Sequence, residues 1–143
     1  MAYSNEQLFW NKLSDQPAGA IEFFKEVQHH FEQQDDVIVH FTKTSGSDLR
    51  LAFPSGVVTK GKIFNFATLN WQPSPQRVLV ITYLEQNAAQ SFGLSDVRFL
   101  KKTTQRQKVE IRLDATAWSN GVWSFIAVLE AGKSKAFADR DLA

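Results

Sequence analysis

The order of apolar patterns along this chain predicts an α+β fold. The expected sheet is mostly antiparallel, with a mixed sheet as the alternative, and has about five to six strands; N-terminal helices and a C-terminal helix pack chiefly on one face. Three observations carry that expectation. A helical apolar period occupies the first third, alternating or wholly apolar runs fill the middle, and a second helical pattern closes the chain. The central stretch is Lys60 to Glu85, where two apolar runs flank a proline-marked segment. The second run, Val78 to Tyr83, is apolar on both sides except at Thr82, as expected of a strand that is central or covered twice. The first run is interrupted by Asn65 and Thr68 and should lie nearer water. Pro73 and Pro75 cannot donate ladder hydrogen bonds, so that segment reads as a connection belonging to neither strand.

Each element follows from its own signals. Ser4 is an N-cap with Gln7 three residues on, which predicts a short helix over 4–13 with Leu8, Phe9 and Trp10 on its apolar side. Pro17 suits the first turn of a second helix reaching about Gln34. There Ile21, Phe24, Val27 and Phe31 form the face to be buried, and Glu22, Lys25, Glu26 and Glu32 stay wet. After Asp36 the period changes. Val37, Val39 and Phe41 alternate with Ile38, His40 and Thr42, and a second run carries Leu49, Leu51 and Phe53; with the turn residues 44–47 between them, these read as a hairpin.

Residues 85–91 read as a short helix or a loop ended by Gly93. A second hairpin is expected over Val97–Lys102 and Gln107–Leu113. Its second arm alternates Val109, Ile111 and Leu113 with Lys108, Glu110 and Arg112, and its tip is 103–105. A last helix should start near Ser119 and run to about Ala131, with Trp118, Val122, Phe125, Ile126 and Leu129 on one stripe. Gly132 reads as its stop, and the tail from about 133 as frayed.

At 143 residues the chain is expected to be a single domain, since that length can bury roughly 68–70% of its unfolded surface around one core. Twelve Phe and four Trp supply ample apolar area. Cysteine is absent, which excludes disulfides, thiol catalysis and cysteine-ligated metals. No apolar run approaches the roughly 18 residues of a membrane span, so the expectation is a cytoplasmic protein without a membrane partner. A net charge of +1 argues against a polyanion-binding surface extending all round, while leaving room for a local patch.

No G-x-S-x-G context surrounds any serine, and Gly56 and Gly61 are followed by a strand pattern where a phosphate loop needs a helix. No catalytic residue and no cofactor are assigned. His29 and His30 near a helix end, Asp35, Asp36 and His40 could be read as a metal site. Adjacent histidines diverge by about 100° on a helix, however, which favours ordinary imidazoles at a helix C-terminus.

The distinctive feature is the second hairpin, where Arg98, Lys101, Lys102, Arg106, Lys108 and Arg112 face the single acid Glu110. With Arg50 on the outer sheet face, these are the candidate contacts to an anionic partner such as nucleic acid. The bland alternative is a solvated hairpin whose lysines discourage edge-to-edge association. Two other classes of function are a metal-dependent hydrolase or nuclease using Asp48, Glu110 or Asp114 with a divalent ion, and a homodimeric or small-ligand-binding protein. The dimer would use a strand edge or the Trp118–Trp123 region, and a monomer is the other expected state.

Overall fold

The computed structural model describes residues 4–42, 48–74, 76–94, 96–100, 107–114 and 122–140. Among them the elements run α1 (Asn5–Leu13), α2 (Ala18–Glu32), β1 (Ile38–Phe41), β2 (Asp48–Phe53), β3 (Phe64–Pro73), β4 (Gln76–Tyr83), α3 (Gln86–Ser91), β5 (Val97–Phe99), β6 (Lys108–Leu113) and α4 (Val122–Ala138). The strands form one sheet in the order β1-β2-β3-β4-β6-β5. Every pairing is antiparallel, so the fold is α+β as predicted, without the mixed alternative.

The register sorts the side chains into two faces. Val39, Leu51, Ala67, Thr82 and Val109 follow one another across the strands, and Phe41, Leu49, Leu69, Val80, Ile111 and Val97 form the neighbouring row. These rows join Phe9, Phe24, Phe31, Phe125 and Leu129 of α1, α2 and α4 in the hydrophobic core. The helices therefore cover one side of the sheet. Trp71, which borders a loop in the sequence, is 1% exposed and belongs to this core.

Local signals explain most boundaries. Ser4 Oγ accepts from the Gln7 amide while the Ser4 amide donates to Gln7 Oε1, the reciprocal cap that the residue spacing predicts. Asn5 Nδ2 then donates to Phe41 O at 3.2 Å and fixes α1 against β1. Gly93 takes φ 69° just after α3, a left-handed conformation that glycine adopts without a Cβ penalty.

Three expectations need correction or fall outside what is described. Pro73 is the last residue of β3, paired with Gln76, and so belongs to a strand; Pro75 lies outside the described residues. A proline is tolerated at a strand end because few ladder bonds remain there for its missing N–H. Gly132 does not stop the last helix, which continues to Ala138, and residues 133–138 are helical where a frayed tail was expected. The turn at 44–47, the hairpin tip at 103–105 and Trp118 lie outside the described residues.

Packing explains why the helix runs through Gly132. This glycine lies against Thr82 of β4, and a Cβ at its position would collide with Thr82 Oγ1. Thr82 is 1% exposed and donates its hydroxyl to Phe66 O at 2.8 Å, so it cannot rotate away without stranding a buried carbonyl. Glycine here permits close approach of helix to sheet. Beyond it, Ala136 is buried, Lys133 Nζ donates to Gln34 Oε1 at 2.6 Å and Asp36 Oδ1 at 2.9 Å, and Lys135 Nζ lies 2.6 Å from Glu85 Oε1.

Replacing Gly132 by Ala should cost up to about 2 kcal/mol in urea denaturation, because overpacking of about 1–3 kcal/mol offsets or outweighs a helix-propensity gain near 1 kcal/mol. In a Thr82→Ala background the loss should shrink or change sign, giving a coupling above about 0.5 kcal/mol. The hydrogen bond to Glu85 is the main cause that raises the Lys135 pKa above its usual value; burial opposes it, and Asp139 adds to the rise. A raised folded-state pKa makes the contribution complete below about pH 10.4, the unfolded value, and lost as pH climbs through the folded one. The stability difference between wild type and Lys135→Gln should therefore be flat from about pH 7 to 9 and narrow at higher pH.

Candidate functional site on the helix-free sheet face

The same alternation that fills the core sends the other half of each strand to the opposite face. Across that face His40, Arg50, Thr68, Ile81, Glu110 and Arg98 are successive register partners from β1 to β5. A second row holds Asp48, Asn70, Leu79 and Arg112. Tyr83 stands opposite Lys108 beyond Ile81. The face is charged at both sides and apolar along the central strand.

Several of its cations are held by acids. Glu110 is clamped between Arg112 Nη2 at 2.7 Å and Arg98 Nη2 at 3.5 Å, and Arg112 Nη1 also lies 3.4 Å from Asp96 Oδ1. Asp48 accepts from Asn70 Nδ2 at 2.8 Å and from Arg50 Nη2 at 3.4 Å. The Asp48–Arg50 and Glu110–Arg112 pairs, two residues apart on one side of a strand, are thus ordinary ion pairs, as their spacing implies.

Arg50, Lys108 and Arg77 are less tied to carboxylates, and Arg77 is held instead by Gln72. Among the described residues Arg50 has only the long 3.4 Å contact to Asp48, and its buried Nε has no hydrogen-bond partner. Lys108 has no carboxylate within ion-pair distance among the described residues, and its Nζ lies 6.0 Å from the Tyr83 ring centroid. Both line one cavity of about 210 Å³, together with Asn65, Phe66, Ala67, Thr68, Ile81 and Tyr83.

The walls of that cavity are set by local structure. The register between β2 and β3 slips after Leu51↔Ala67, so that Ala52 pairs with Asn65 and Phe66 is the extra residue of a β-bulge. Phe66 is buried against Phe31 and Phe53, while Asn65 Oδ1 lies 2.7 Å from His40 Nε2. This contact fixes the Asn65 amide in the cavity wall. Tyr83 is held by its ring contact with Phe64, at 5.6 Å and 27°.

Of the sequence-derived candidates, the fold therefore brings Arg50 and Lys108 to one cavity and sets Arg98 and Arg112 beside Glu110. Lys101, Lys102 and Arg106 lie outside the described residues, as does the Trp118–Trp123 region apart from the backbone of α4. Asn65, Thr68, Ile81 and Tyr83 join the site without being among those candidates. Their only signal in the sequence is the interruption of the β3 pattern at Asn65 and Thr68.

Of the carboxylates considered for a divalent ion, Asp48 and Glu110 do not converge. Asp48 on β2 and Glu110 on β6 are three strand spacings apart, about 14 Å at ~4.8 Å per strand, too far to ligate one ion. Among the described residues no group of three or more His, Asp or Glu is arranged to hold a metal. His29 instead contacts Gln33, and His30 packs edge-on to Phe31. No described helix is long and apolar enough to cross a membrane. No family model, curated protein or solved structure matches the chain.

The Glu110 cluster should be worth little to stability, since Arg112 is 30% exposed. A double-mutant cycle on Glu110→Gln and Arg112→Gln should give a coupling below about 1 kcal/mol in urea denaturation. A coupling near 3–5 kcal/mol would mean that the pair is effectively buried.

Proposed function

We propose that this chain is a non-enzymatic binding domain whose helix-free sheet face takes an anionic partner, with nucleic acid as the partner class. The observation that carries the reading is the convergence of Arg50 and Lys108, distant in sequence, on one cavity. Cationic donors beside hydroxyl and amide groups are the means by which proteins hold phosphates. The basic hairpin adds charge close by in the sequence: Lys101, Lys102 and Arg106 belong to the segment between β5 and β6, shortly before Lys108. Arg98 and Arg112 contribute less, because an anion would have to compete with Glu110 for them.

Binding of this kind is electrostatic and must weaken with salt. Fluorescence anisotropy with a single-stranded oligonucleotide should show affinity at about 50 mM salt that falls steeply by about 200 mM. Charge reversal at Arg50 and Lys108 together should lower affinity by about tenfold or more and flatten the salt slope, by about one for each phosphate left unneutralised. Lys101→Glu with Lys102→Glu tests the hairpin separately. Undetectable binding at low salt, or affinity indifferent to both pairs of reversals, would refute the reading.

A further inference from the structure

Resting on that reading, we infer that the Arg50–Lys108 cavity is a site for a phosphomonoester, so that the domain grips the phosphorylated end of a strand and not the phosphodiesters along it. The first ground is size. A cavity of about 210 Å³ falls below the roughly 300 Å³ at which pockets begin to hold whole drug-sized ligands, so it suits one functional group with a little of what it is attached to.

The second ground is charge. A phosphomonoester carries about −1.5 to −2 at pH 7 and three terminal oxygens, whereas an internal phosphodiester carries one charge and two free oxygens. Two cations from opposite sides of the cavity match the monoester. Arg50 offers a planar fork whose one acidic contact among the described residues, Asp48 at 3.4 Å, leaves its buried Nε without a hydrogen-bond partner, and Lys108 offers a point charge with no carboxylate within ion-pair distance among the described residues. The Thr68 hydroxyl and the Asn65 amide, steadied by His40 at 2.7 Å, supply neutral donors for remaining oxygens.

The third ground is the lack of a track among the described residues. A strand lying along the sheet needs successive free cations, yet Arg98 and Arg112 are paired with Glu110 and Asp96, and Arg77, at the other end of β4 from Tyr83, is held by Gln72. What the described face offers is one partly enclosed point. Ile81 and Tyr83 form its apolar side, where the carbon skeleton next to the phosphate would rest.

The test is a set of titrations of the full chain with one short single-stranded oligonucleotide in three forms, 5′-phosphorylated, 3′-phosphorylated and with hydroxyls at both ends, together with the corresponding mononucleotide. At least one phosphorylated end should bind about tenfold tighter than the hydroxyl form, about the worth of one charge-assisted hydrogen bond. That advantage should vanish in Arg50→Gln and in Lys108→Gln, with circular dichroism and melting temperature showing both variants folded. Equal affinity for all oligonucleotide ends would overturn the inference and leave the binding face standing. A mononucleotide binding as tightly as the phosphorylated oligonucleotide would uphold the phosphomonoester site and overturn the nucleic-acid reading. No binding by any form would overturn both.

Discussion

The close seating of α4 on the central strand fixes how this chain divides its surface. Thr82 stands on the helix-facing side of β4 with its hydroxyl committed to Phe66 O, and Gly132 is the residue that lets a helix lie directly over it. From that contact α4 runs back toward Phe125 and on to Phe137, whose ring lies 6.0 Å from Phe53. With α1 and α2 against β1, the available helical surface is then used on one side. An antiparallel sheet tolerates this arrangement because its pleat alternates, so one face can be dry and the other wet.

The wet face inherits the polar residues of every strand, and how they pair decides what the face can do. Glu110 sits between two arginines and Asp48 between an arginine and an asparagine, so much of the charge is satisfied internally. Among the described residues, the cavity is edged by Lys108, which has no carboxylate within ion-pair distance, and by Arg50, whose Nε is unpartnered. The β-bulge at Phe66 serves both faces at once: it buries one ring among Phe31 and Phe53, and it brings Asn65 to His40. A local irregularity thus links the core to the proposed site.

Much of this architecture is legible in the residues. The Ser4–Gln7 cap, the Phe24/Val27/Phe31 stripe, and the alternation in β1, β2 and β6 each rest on a local rule that tertiary packing does not override. The length of the C-terminal helix is not legible in the same way, because Gly132 obeys a different rule. Glycine usually ends helices, but here the constraint is a strand about fifty residues away, and no local window contains it. Pro73 is a milder instance of the same thing, since its tolerance depends on standing at the end of a ladder.

The site is only half legible from sequence. Alternation alone assigns Arg50 and Lys108 to the outer face, but their meeting at one cavity depends on strand order, which puts only β3 and β4 between β2 and β6. The pairing of Arg98 with Glu110 likewise needs the register, and together with the local Glu110–Arg112 pair it moves weight from the hairpin as a whole to Arg50 and Lys108. The most direct measurement is a ¹H–¹⁵N chemical-shift titration of the protein with a phosphorylated oligonucleotide. Salt-sensitive shifts clustered at Arg50, Asn65, Thr68, Ile81 and Lys108 are expected, with α1, α2 and α4 unmoved. Shifts confined to the helical layer, with that cluster silent, would contradict a phosphate site on the open face of the sheet.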